Sequence, residues 1–440
     1  MANADLTALF GRVGSEPDGI ALRDDHRQRT WAELLDRVVR LGHALTDRLG
    51  VAPDGHVACL LPNRCEMVEL GIAGPLAGLW FTPINRHLTP DEVAYVVEDS
   101  SASVVLTDAT LAAHVPDGVQ VIDVDRDLDA LIETASDAPP DLDAKAGGSM
   151  LYTSGTTGRP KGVRRGRSPS RGAVIAGARR YGGAIGLDGS GPHLVTGPLY
   201  HAAPLGLATY DLYAGAPMVI MDRFDALSTL EAIETHQIAH THLVPTMFVR
   251  MLRLSDAERS IHDLSSLTCV LHGAAPVSPP VKRDMIDWWG PVLLEYWGGS
   301  ESGVVTLVDS ETWQKLVNHP QLAIYETGRM DDVYFGGDKH YGKLHAKFLM
   351  RDNAGFIGTA NFDYRSRLFN NEMGFFFDGP ELAEDMIADF ELLKSQSYLW
   401  GSPEWLEMRR KIMEQDGVKP MTVRNQRAVF KTLRKTGLEY

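Results

Sequence analysis

Residues 152–162 read YTSGTTGRPKG and carry the clearest chemical signal in the chain. Three glycines, four serine and threonine hydroxyls and one lysine stand within this short stretch. Glycines let backbone N–H groups curl around an anion, hydroxyls donate hydrogen bonds to phosphate oxygens, and Lys161 adds a positive charge. The Pro-Lys-Gly ending favours a phosphate-binding loop over a flexible linker, and the spacing differs from the Gly-x4-Gly-Lys-Ser/Thr pattern of common nucleotide hydrolases.

The sequence on both sides of this loop predicts a layered α/β domain with largely parallel sheets, because short apolar runs alternate with helical patterns. Thr30 and Glu33 form a capping box at the head of a helix. The apolar positions of that helix keep helical spacing at Leu34, Val38, Leu41 and Leu45. Buried strands are predicted at residues 57–61, 103–106 and 293–296.

Length and composition indicate an ordinary soluble protein of about three folding units. The 440 residues are 44% hydrophobic and 23% charged, which argues against a disordered, collagen-like or membrane-spanning chain. Cys59, Cys65 and Cys269 are too few and too scattered for a disulfide framework or a zinc site, so we expect core cysteines and a cytoplasmic location. Residues 1–10 lack the pattern of a signal peptide, and the uncharged stretch 70–85 is too short to cross a bilayer.

The negative charge is concentrated in the first part of the chain. Of the net charge of −15, −14 lies before residue 311 and −1 lies from residue 311 onward. Residues 409–440 hold nine Lys and Arg against three acidic side chains, which makes this tail basic. The tail is predicted to be either the solvated face of a helix or a contact for a phosphate-rich partner, such as a nucleic acid or an anionic membrane, to which the protein would bind peripherally.

The phosphate-binding loop resembles the signature of the adenylate-forming family, which includes the acyl-CoA synthetases, luciferases and peptide-synthetase adenylation domains. Further matches follow in the order of the family. They are TWAEL at 30–34, PIN at 83–85 with LT at 88–89, PLYH at 198–201, VPTM at 244–247, GAAP at 273–276 and EYWGGSE at 295–301. The resemblance covers about residues 1–308 and implies the AMP-binding large domain of that family.

The resemblance also implies the roles of individual residues and the substrates, which are ATP with Mg²⁺, a fatty or aromatic carboxylic acid, and CoA. The ATP-binding residues would be Thr153, Ser154, Gly155, Thr156, Thr157, Gly158, Lys161, Gly273, Ala274, Ala275, Pro276, Tyr296, Trp297 and Ser300. Within this set, the residues of the GAAP segment lie against the adenine, the two aromatic residues flank it, and Ser300 reaches the phosphate. Glu301 would hold the magnesium ion, and His201 would lie near the acyl pocket. Arg164, Arg165, Arg167 and Arg171 either attract the nucleotide or form a solvated loop.

The family pattern does not continue beyond Glu301. Members of the family proceed to a Thr-Gly-Asp whose aspartate grips the ribose, then to a hinge and to a small domain with a catalytic lysine. Here Thr327-Gly328 is followed by Arg329, in different surroundings. The C-terminal subdomain is therefore predicted to be missing, and adenylation and thioester formation to be impaired.

A different pattern begins at about residue 311 and centres on LHAKFLMRD at 344–352. Because side chains along a strand alternate between its faces, His345 and Lys347 are predicted to share one face. The run 355–360 predicts a neighbouring strand that brings Thr359 and Asn361 beside them. An imidazole nucleophile with ammonium, hydroxyl and amide ligands suits a phosphodiester substrate.

This second stretch resembles the phospholipase D superfamily, and specifically its cardiolipin-synthase-like members. The resemblance implies a partial phospholipase-D-like α/β segment over about 311–440, with one His-x-Lys-x4-Asp motif and no cofactor. His345 would be the nucleophile that forms a phosphohistidine, while Lys347 and Asn361 bind phosphate. Thr359 would have a supporting role, Asp352 a structural one, and Glu372 would orient an imidazole. Because an active site of that superfamily uses two such motifs, activity on a phosphodiester or anionic phospholipid is predicted to need a homodimer.

The sequence therefore predicts a fusion of an acyl-CoA-synthetase-like domain with a phospholipase-D-like domain, each with reduced or no activity. Residues 303–315 contain no Pro/Gly/Ser-rich linker of the kind expected between independently folded domains, which favours a chimera, natural or constructed. Two alternatives stay open. In the first, the chain only binds nucleotide, acyl groups or anionic lipid, and in the second, the rear segment is a dimeric nuclease.

Overall fold

A computed structural model describes residues 12–153, 160–164, 167–275, 277–299, 303–317, 325–327, 332–335, 338–341, 347–358, 374–399 and 402–414. The chain divides into two compact units. The first comprises Met1–Val277 and Val281–Ser310, and the second comprises Ser278–Pro280 and Glu311–Tyr440.

The strands and helices below are numbered along the described residues. The strands are β1 (Ile20–Arg23), β2 (Gln28–Thr30), β3 (His56–Leu60), β4 (Trp80–Pro83), β5 (Ala102–Thr107), β6 (Gln120–Asp123), β7 (Gly148–Thr153), β8 (Lys161–Arg164), β9 (His193–Val195), β10 (Met218–Ile220), β11 (His240–Leu243), β12 (Cys269–His272), β13 (Leu293–Gly299), β14 (Gly303–Asp309), β15 (Tyr325–Thr327), β16 (Asp332–Phe335), β17 (Asp338–Tyr341), β18 (Lys347–Arg351), β19 (Ala354–Gly358), β20 (Gly374–Asp378) and β21 (Ser397–Leu399). The helices are α1 (Trp31–His43), α2 (Cys65–Leu76), α3 (Pro90–Ser100), α4 (Leu128–Glu133), α5 (Arg171–Ala184), α6 (Ala202–Ala214), α7 (Ala226–Thr235), α8 (Pro245–Leu252), α9 (Asp256–Ser260), α10 (Pro279–Trp289), α11 (Ser310–Val317), α12 (Pro380–Ser395) and α13 (Pro403–Glu414).

Two largely parallel sheets form the described part of the first unit, which confirms the predicted α/β class. One sheet has the strand order β6-β5-β3-β4-β7-β8, and the other has the order β14-β13-β12-β11-β9-β10-β1-β2. Only β8, β2 and β14 among these strands pair antiparallel, and all three lie at sheet edges. The remaining strands pair parallel, and β6, at the other edge of the first sheet, is partly exposed.

The side chains along a strand of the first sheet point alternately into two hydrophobic cores, as β3 shows. Val57 and Cys59 face the core that both sheets share with α1, α2 and α6, whereas Ala58 and Leu60 face a second core against α3. A strand buried on both faces reads as a continuous apolar run, which is why 57–61 was predictable as a strand. The capping box of α1 is also confirmed, and the helix buries its predicted apolar face.

Two carboxylates of α2, Glu66 and Glu69, are buried and paired with arginines from the start of the chain. The Nε atoms of Arg29 and Arg37 lie 2.9 and 2.8 Å from Glu69 Oε1. Glu66 accepts hydrogen bonds from Arg27 and Arg64. Burial would lower the pKa of Arg37, but its hydrogen bonds to Glu69 raise it overall, so the Arg37 guanidinium stays charged.

A second buried network lies at the amino ends of β9 and β11. Asp211 of α6 accepts hydrogen bonds from the Nδ1 atoms of His193, at 2.9 Å, and His240, at 2.7 Å. The two histidines are direct neighbours in the parallel register of β9 and β11. Burial alone would raise the pKa of Asp211, but the bonds from both imidazoles outweigh it and lower the pKa to about 2.

The second unit contains a β-meander, in which β18, β19 and β20 pair antiparallel. The strand predicted beside residues 344–350 is therefore confirmed as β19. The unit also has the hairpin β16–β17 and the antiparallel pair β15–β21. On α12, Ala383, Met386 and Leu393 are buried. Every helix among the described residues is too short or too polar to cross a membrane.

Candidate functional site

A cavity of about 500 Å³ opens at the carboxyl ends of the parallel strands of the larger sheet. Gly197 and Pro198 follow β9, Val244 follows β11, and Ala274 follows β12 in its lining. Ligands of open parallel sheets bind at this edge, where the loops that leave the strands converge. The cavity is therefore the first candidate for a binding site in this unit.

The described residues that line the cavity include no Asp, Glu, Lys or Arg. Leu207, Val244 and Met247 supply aliphatic surface, and Tyr181 and Tyr210 supply aromatic surface. The two phenol rings pack edge to face with centroids 5.3 Å apart. Such a lining suits an uncharged, aliphatic or aromatic group with a few hydrogen-bonding substituents.

His242 and Tyr296 form the polar floor of the cavity. His242 Nε2 lies 2.9 Å from the hydroxyl oxygen of Tyr296, and the bond passes across β12, because the two residues stand on β11 and β13. Burial lowers the pKa of His242 to about 3 and raises that of Tyr296 to about 12. Both groups are therefore neutral at physiological pH.

Gly273 lies beneath this bond, immediately after β12. A Cβ atom at this position would come within 2.6 Å of the backbone oxygen of Tyr296 and within 2.8 Å of its ring. Ala274, which follows, has a φ of 62°, in the left-handed region that non-glycine residues seldom adopt. The GAAP segment is thus held close against Tyr296, with Ala274 facing the cavity, while Pro276 lies outside the described residues.

Tyr296 and Trp297 face different environments, because neighbouring side chains of a strand point to opposite sides. Tyr296 is buried against His242, whereas Trp297 is 54% exposed. Only the indole of this pair is therefore available as a flat surface for a base. Ser300 and Glu301 lie outside the described residues, and the remainder of the chain that the structure describes has no cluster of three His, Cys, Asp or Glu side chains suited to a metal ion.

The ends of the phosphate-binding loop meet across the hairpin β7–β8. Thr153, the last residue of β7, pairs with Lys161, the first residue of β8. Lys161 is exposed, as a cation for a solvent-borne anion needs to be. The residues from Ser154 to Gly158 lie outside the described residues.

The arginines that follow the loop have roles that neither sequence interpretation anticipated. The guanidinium of Arg167 lies 4.2 Å from the centre of the Trp80 ring and is paired with Asp54. Arg164 lies 5.3 Å from the same ring. The prediction of a solvated loop is wrong for Arg167, since the cation–π contact and the ion pair anchor it to the smaller sheet.

His201, the residue predicted near the acyl pocket, lies at the mouth of the cavity, where α6 begins. The residue keeps solvent exposure, and the protein atoms packed on one side of its ring lower its pKa from the usual value. Its neutral form can donate or accept a hydrogen bond to a ligand that enters the cavity.

Comparison with known families agrees with this arrangement. The sequence profile of the AMP-binding enzyme family matches residues 9–325, which is well over half of the chain. The chain belongs to the AMP-binding enzyme family. A second profile, that of the cardiolipin synthase, PLD-like domain, matches residues 293–394 and overlaps the first.

Relatives of this AMP-binding protein include CoA ligases of aromatic acids. The feruloyl-CoA synthase of Amycolatopsis sp is 32% identical over 321 residues, which cover 69% of this chain and 61% of that synthase. The chain thus matches about three fifths of the length of that curated relative. The 2-succinylbenzoate–CoA ligase of Bacillus velezensis is 30% identical over 431 residues, covering 89% of this chain and 85% of the ligase, so that alignment runs past residue 310.

A solved structure supports the same fold. The o-succinylbenzoate CoA synthetase of Bacillus subtilis, in complex with ATP and magnesium ion, superposes with a TM-score of 0.59 at 24% identity. The superposition covers 80% of this chain and 70% of the synthetase.

In the second unit, two of the predicted site residues fall within the described residues. Lys347 is the first residue of β18, and Asp352 lies in the exposed turn between β18 and β19 with a φ of 52°. The other members of the motif lie outside the described residues: His345, Thr359, Asn361 and Glu372.

The sequence did not single out Tyr181, Tyr210 or His242, although all three line the cavity of this AMP-binding protein. Tyr181 stands in α5 and Tyr210 in α6, outside the motifs in sequence. Ligands of open parallel sheets bind at the carboxyl edge, but the sequence does not show which face of either helix is turned toward that edge.

Proposed function

We propose that the first unit activates a carboxylic acid with ATP. In this step a carboxylate oxygen forms a bond to the α-phosphorus of ATP, the bond from that phosphorus to the bridging oxygen breaks, and pyrophosphate leaves. The observation that carries the proposal is the uncharged cavity at the carboxyl edge of the larger sheet, with the glycine-backed GAAP segment at its wall. The cavity would hold the acyl group.

The nucleotide would lie outside this cavity, toward the exposed face of β13. Trp297 offers an exposed indole for the adenine, and Gly273 allows the chain to lie close to Tyr296 because any side chain there would collide. Lys161 is an exposed cation of the phosphate-binding loop and would offset charge that builds up on the phosphates. Mg²⁺ would contribute further charge stabilisation through Glu301, as the family resemblance implies.

The acid would be aromatic or aliphatic and of moderate size. A cavity of about 500 Å³ lies within the range of small-molecule sites. His242 is neutral, so it cannot trap the carboxylate inside the cavity by charge. The carboxylate would therefore remain at the mouth, beside His201, where the phosphate arrives.

The subsequent transfer of the acyl group to CoA would be impaired. In that half-reaction the CoA sulfur bonds to the acyl carbon and AMP leaves. The family performs it with a small domain that carries a catalytic lysine, and residues 311–414 do not follow that pattern in sequence.

Acid-dependent exchange between pyrophosphate and ATP tests the first half-reaction alone. We expect magnesium-dependent exchange with at least one acid from a panel of cinnamates, benzoates and fatty acids. The same panel with CoA would give much slower thioester release. Exchange with none of the acids, by a folded protein, would contradict the proposal and favour a chain that only binds nucleotide or acyl groups.

For the second unit we propose phosphodiester chemistry, since residues 293–394 match the cardiolipin synthase, PLD-like domain. His345 would attack phosphorus, the bond from phosphorus to the leaving alcohol would break, and a second alcohol or water would then release the phosphohistidine. The meander β18–β19–β20 provides the strand on which Lys347 stands. With one motif per chain, two subunits would be needed, with an anionic phospholipid or another phosphodiester as substrate.

Size-exclusion chromatography with light scattering, followed by a phosphodiesterase assay on each peak, tests this second proposal. We expect a dimer that cleaves a chromogenic phosphodiester, and loss of that cleavage in His345→Asn. Metal-free release of nucleotides from plasmid DNA, also lost in that variant, would identify a nuclease. An inert monomer would contradict the proposal, and vesicle binding that persists in the variant would leave a lipid-binding role for the basic tail.

A further inference from the structure

The side chain of Tyr181, in helix α5, is hydrogen-bonded to the start of β14. The backbone N–H of Val304 donates a hydrogen bond to the Tyr181 hydroxyl at 2.7 Å, and that hydroxyl lies 3.4 Å from the Val304 carbonyl oxygen, to which it can donate. A Cβ atom at Gly303 would lie 3.0 Å from the same hydroxyl, so the approach requires glycine. Gly303 has a φ of 70°, which glycine adopts without strain.

Gly303 and Val304 stand at the start of β14, where this strand pairs with the end of β13. Gly299 pairs with Gly303, and Gly298 pairs with Val304. Ser300 and Glu301, for which the family resemblance implies phosphate and magnesium contacts, are encoded between these glycine pairs. Whatever fixes Gly303 and Val304 therefore fixes one end of the segment that contains Ser300 and Glu301.

The ring of Tyr181 also lines the cavity, beside Tyr210. Tyr181 thus touches both the space proposed for the acyl group and the end of the hairpin. Tyr210 resembles it in ring and position, but the Tyr210 hydroxyl makes no hydrogen bond with the described part of the chain. Among the described residues, the Tyr181 hydroxyl is therefore hydrogen-bonded to the hairpin and the Tyr210 hydroxyl is not.

We propose that Tyr181 is a positioning residue that couples occupation of the acyl cavity to the order of the β13–β14 hairpin. An acyl group packed against the Tyr181 ring restricts the motion of that ring. The hydrogen bond between the Tyr181 hydroxyl and Val304 is then broken less often. Adenylation would benefit from this coupling, because the end of the hairpin would be in place before ATP reacts. In this respect the inference rests on the proposed function. The coupling itself is a property of binding and can be measured without turnover.

Hydrogen–deuterium exchange of the full chain, read by mass spectrometry over residues 293–309, tests the coupling. The probe is ferulate, and the variants are Tyr181→Phe and Tyr210→Phe, which remove the same atom from the same cavity. Without ligand, we expect Tyr181→Phe to raise hairpin exchange about fivefold, the factor of one lost hydrogen bond of ordinary strength, and Tyr210→Phe to leave it at the wild-type rate. Ferulate slows hairpin exchange in the wild type and in Tyr210→Phe but not in Tyr181→Phe.

A merely structural role for Tyr181 would change exchange without ligand but would leave the effect of ferulate intact, and that result overturns the inference. Equal exchange in Tyr181→Phe and the wild type, or no protection by ferulate in any protein, also overturns it. In the pyrophosphate-exchange assay, we expect Tyr181→Phe to lower kcat about tenfold while KM for ferulate changes less than about threefold. A wild type that ferulate protects but that gives no pyrophosphate exchange would contradict the proposed adenylation and leave the coupling in place.

Discussion

His242 on β11 and Tyr296 on β13 are hydrogen-bonded across the intervening strand β12, with 2.9 Å between Nε2 and the phenol oxygen. This bond joins three neighbouring strands at the edge where the cavity opens. It also explains Gly273, since the chain that leaves β12 must pass beneath the Tyr296 ring. His242, Gly273 and Tyr296, which come from three separate stretches of the sequence, therefore meet at this edge.

Removal of the phenol oxygen should destabilise the protein. In Tyr296→Phe the buried imidazole of His242 loses its partner, and an unpaired buried polar group costs about 1–3 kcal/mol. Urea denaturation would measure the change in the free energy of unfolding. Tyr210→Phe is the matched control, and a loss as large as that of Tyr296→Phe in the control would contradict a specific role of the bond.

A methyl group at Gly273 should also destabilise the protein. The added Cβ atom of Gly273→Ala would collide with both the backbone oxygen and the ring of Tyr296, and such overpacking costs about 1–3 kcal/mol or more. We expect lower stability and weaker ATP binding by isothermal calorimetry. Gly177→Ala, in α5, is the control, because a Cβ atom there meets nothing within 4 Å and alanine favours a helix by about 0.5–1 kcal/mol. Equal stability of the two variants would refute the steric argument.

Loss of the loop cation should impair nucleotide binding without affecting the fold. Lys161→Met removes an exposed charge, so the free energy of unfolding should stay within about 0.5 kcal/mol. The affinity for Mg·ATP should fall about tenfold or more, the effect of losing one charge-assisted contact to phosphate. Lys145→Met is the control, since Lys145 is also an exposed cation but stands outside residues 152–162, with its Nζ bonded to Asp54 at 2.9 Å. A similar fall in affinity in the control would indicate a non-specific effect of charge.

Asp211 should make the free energy of unfolding depend on pH in the acidic range. The pKa of this carboxyl is lowered from its usual 3.8 to about 2 in the folded protein, so it stabilises the fold by about 2 kcal/mol above pH 4. This contribution disappears as the pH falls from about 4 to about 2. Asp211→Asn should lose it at every pH, and its urea midpoint should be less sensitive to pH over that window. Parallel pH profiles of the variant and the wild type would contradict the assignment.

Much of the first unit follows from local sequence, and the reasons are physical. The capping box at Thr30 and the apolar run at 57–61 act over a few residues, so their structures could be predicted. The approach of Thr153 to Lys161 also follows from a short loop between two strands. The His242–Tyr296 bond could not be predicted, since its partners are 54 residues apart and meet only when the strand order is known.

Arg167 illustrates a second limit of sequence analysis. A cluster of arginines after a glycine-rich loop suggests either a nucleotide contact or a solvated loop, because the sequence does not show which aromatic ring lies nearby. Trp80, from a strand far earlier in the chain, provides the surface on which Arg167 packs. In the second unit, the run at 355–360 predicted a strand beside residues 344–350, and β19 pairs with β18 as expected.

The buried acid pair of α2 has a consequence for synthesis on the ribosome. Arg27, Arg29, Arg37 and Arg64 all precede Glu69 in the chain. The nascent polypeptide therefore contains the cations for Glu66 and Glu69 before α2 has been fully translated. This early amino-terminal segment can gather around its second helix without leaving either carboxylate unneutralised, long before the residues that line the cavity have left the exit tunnel.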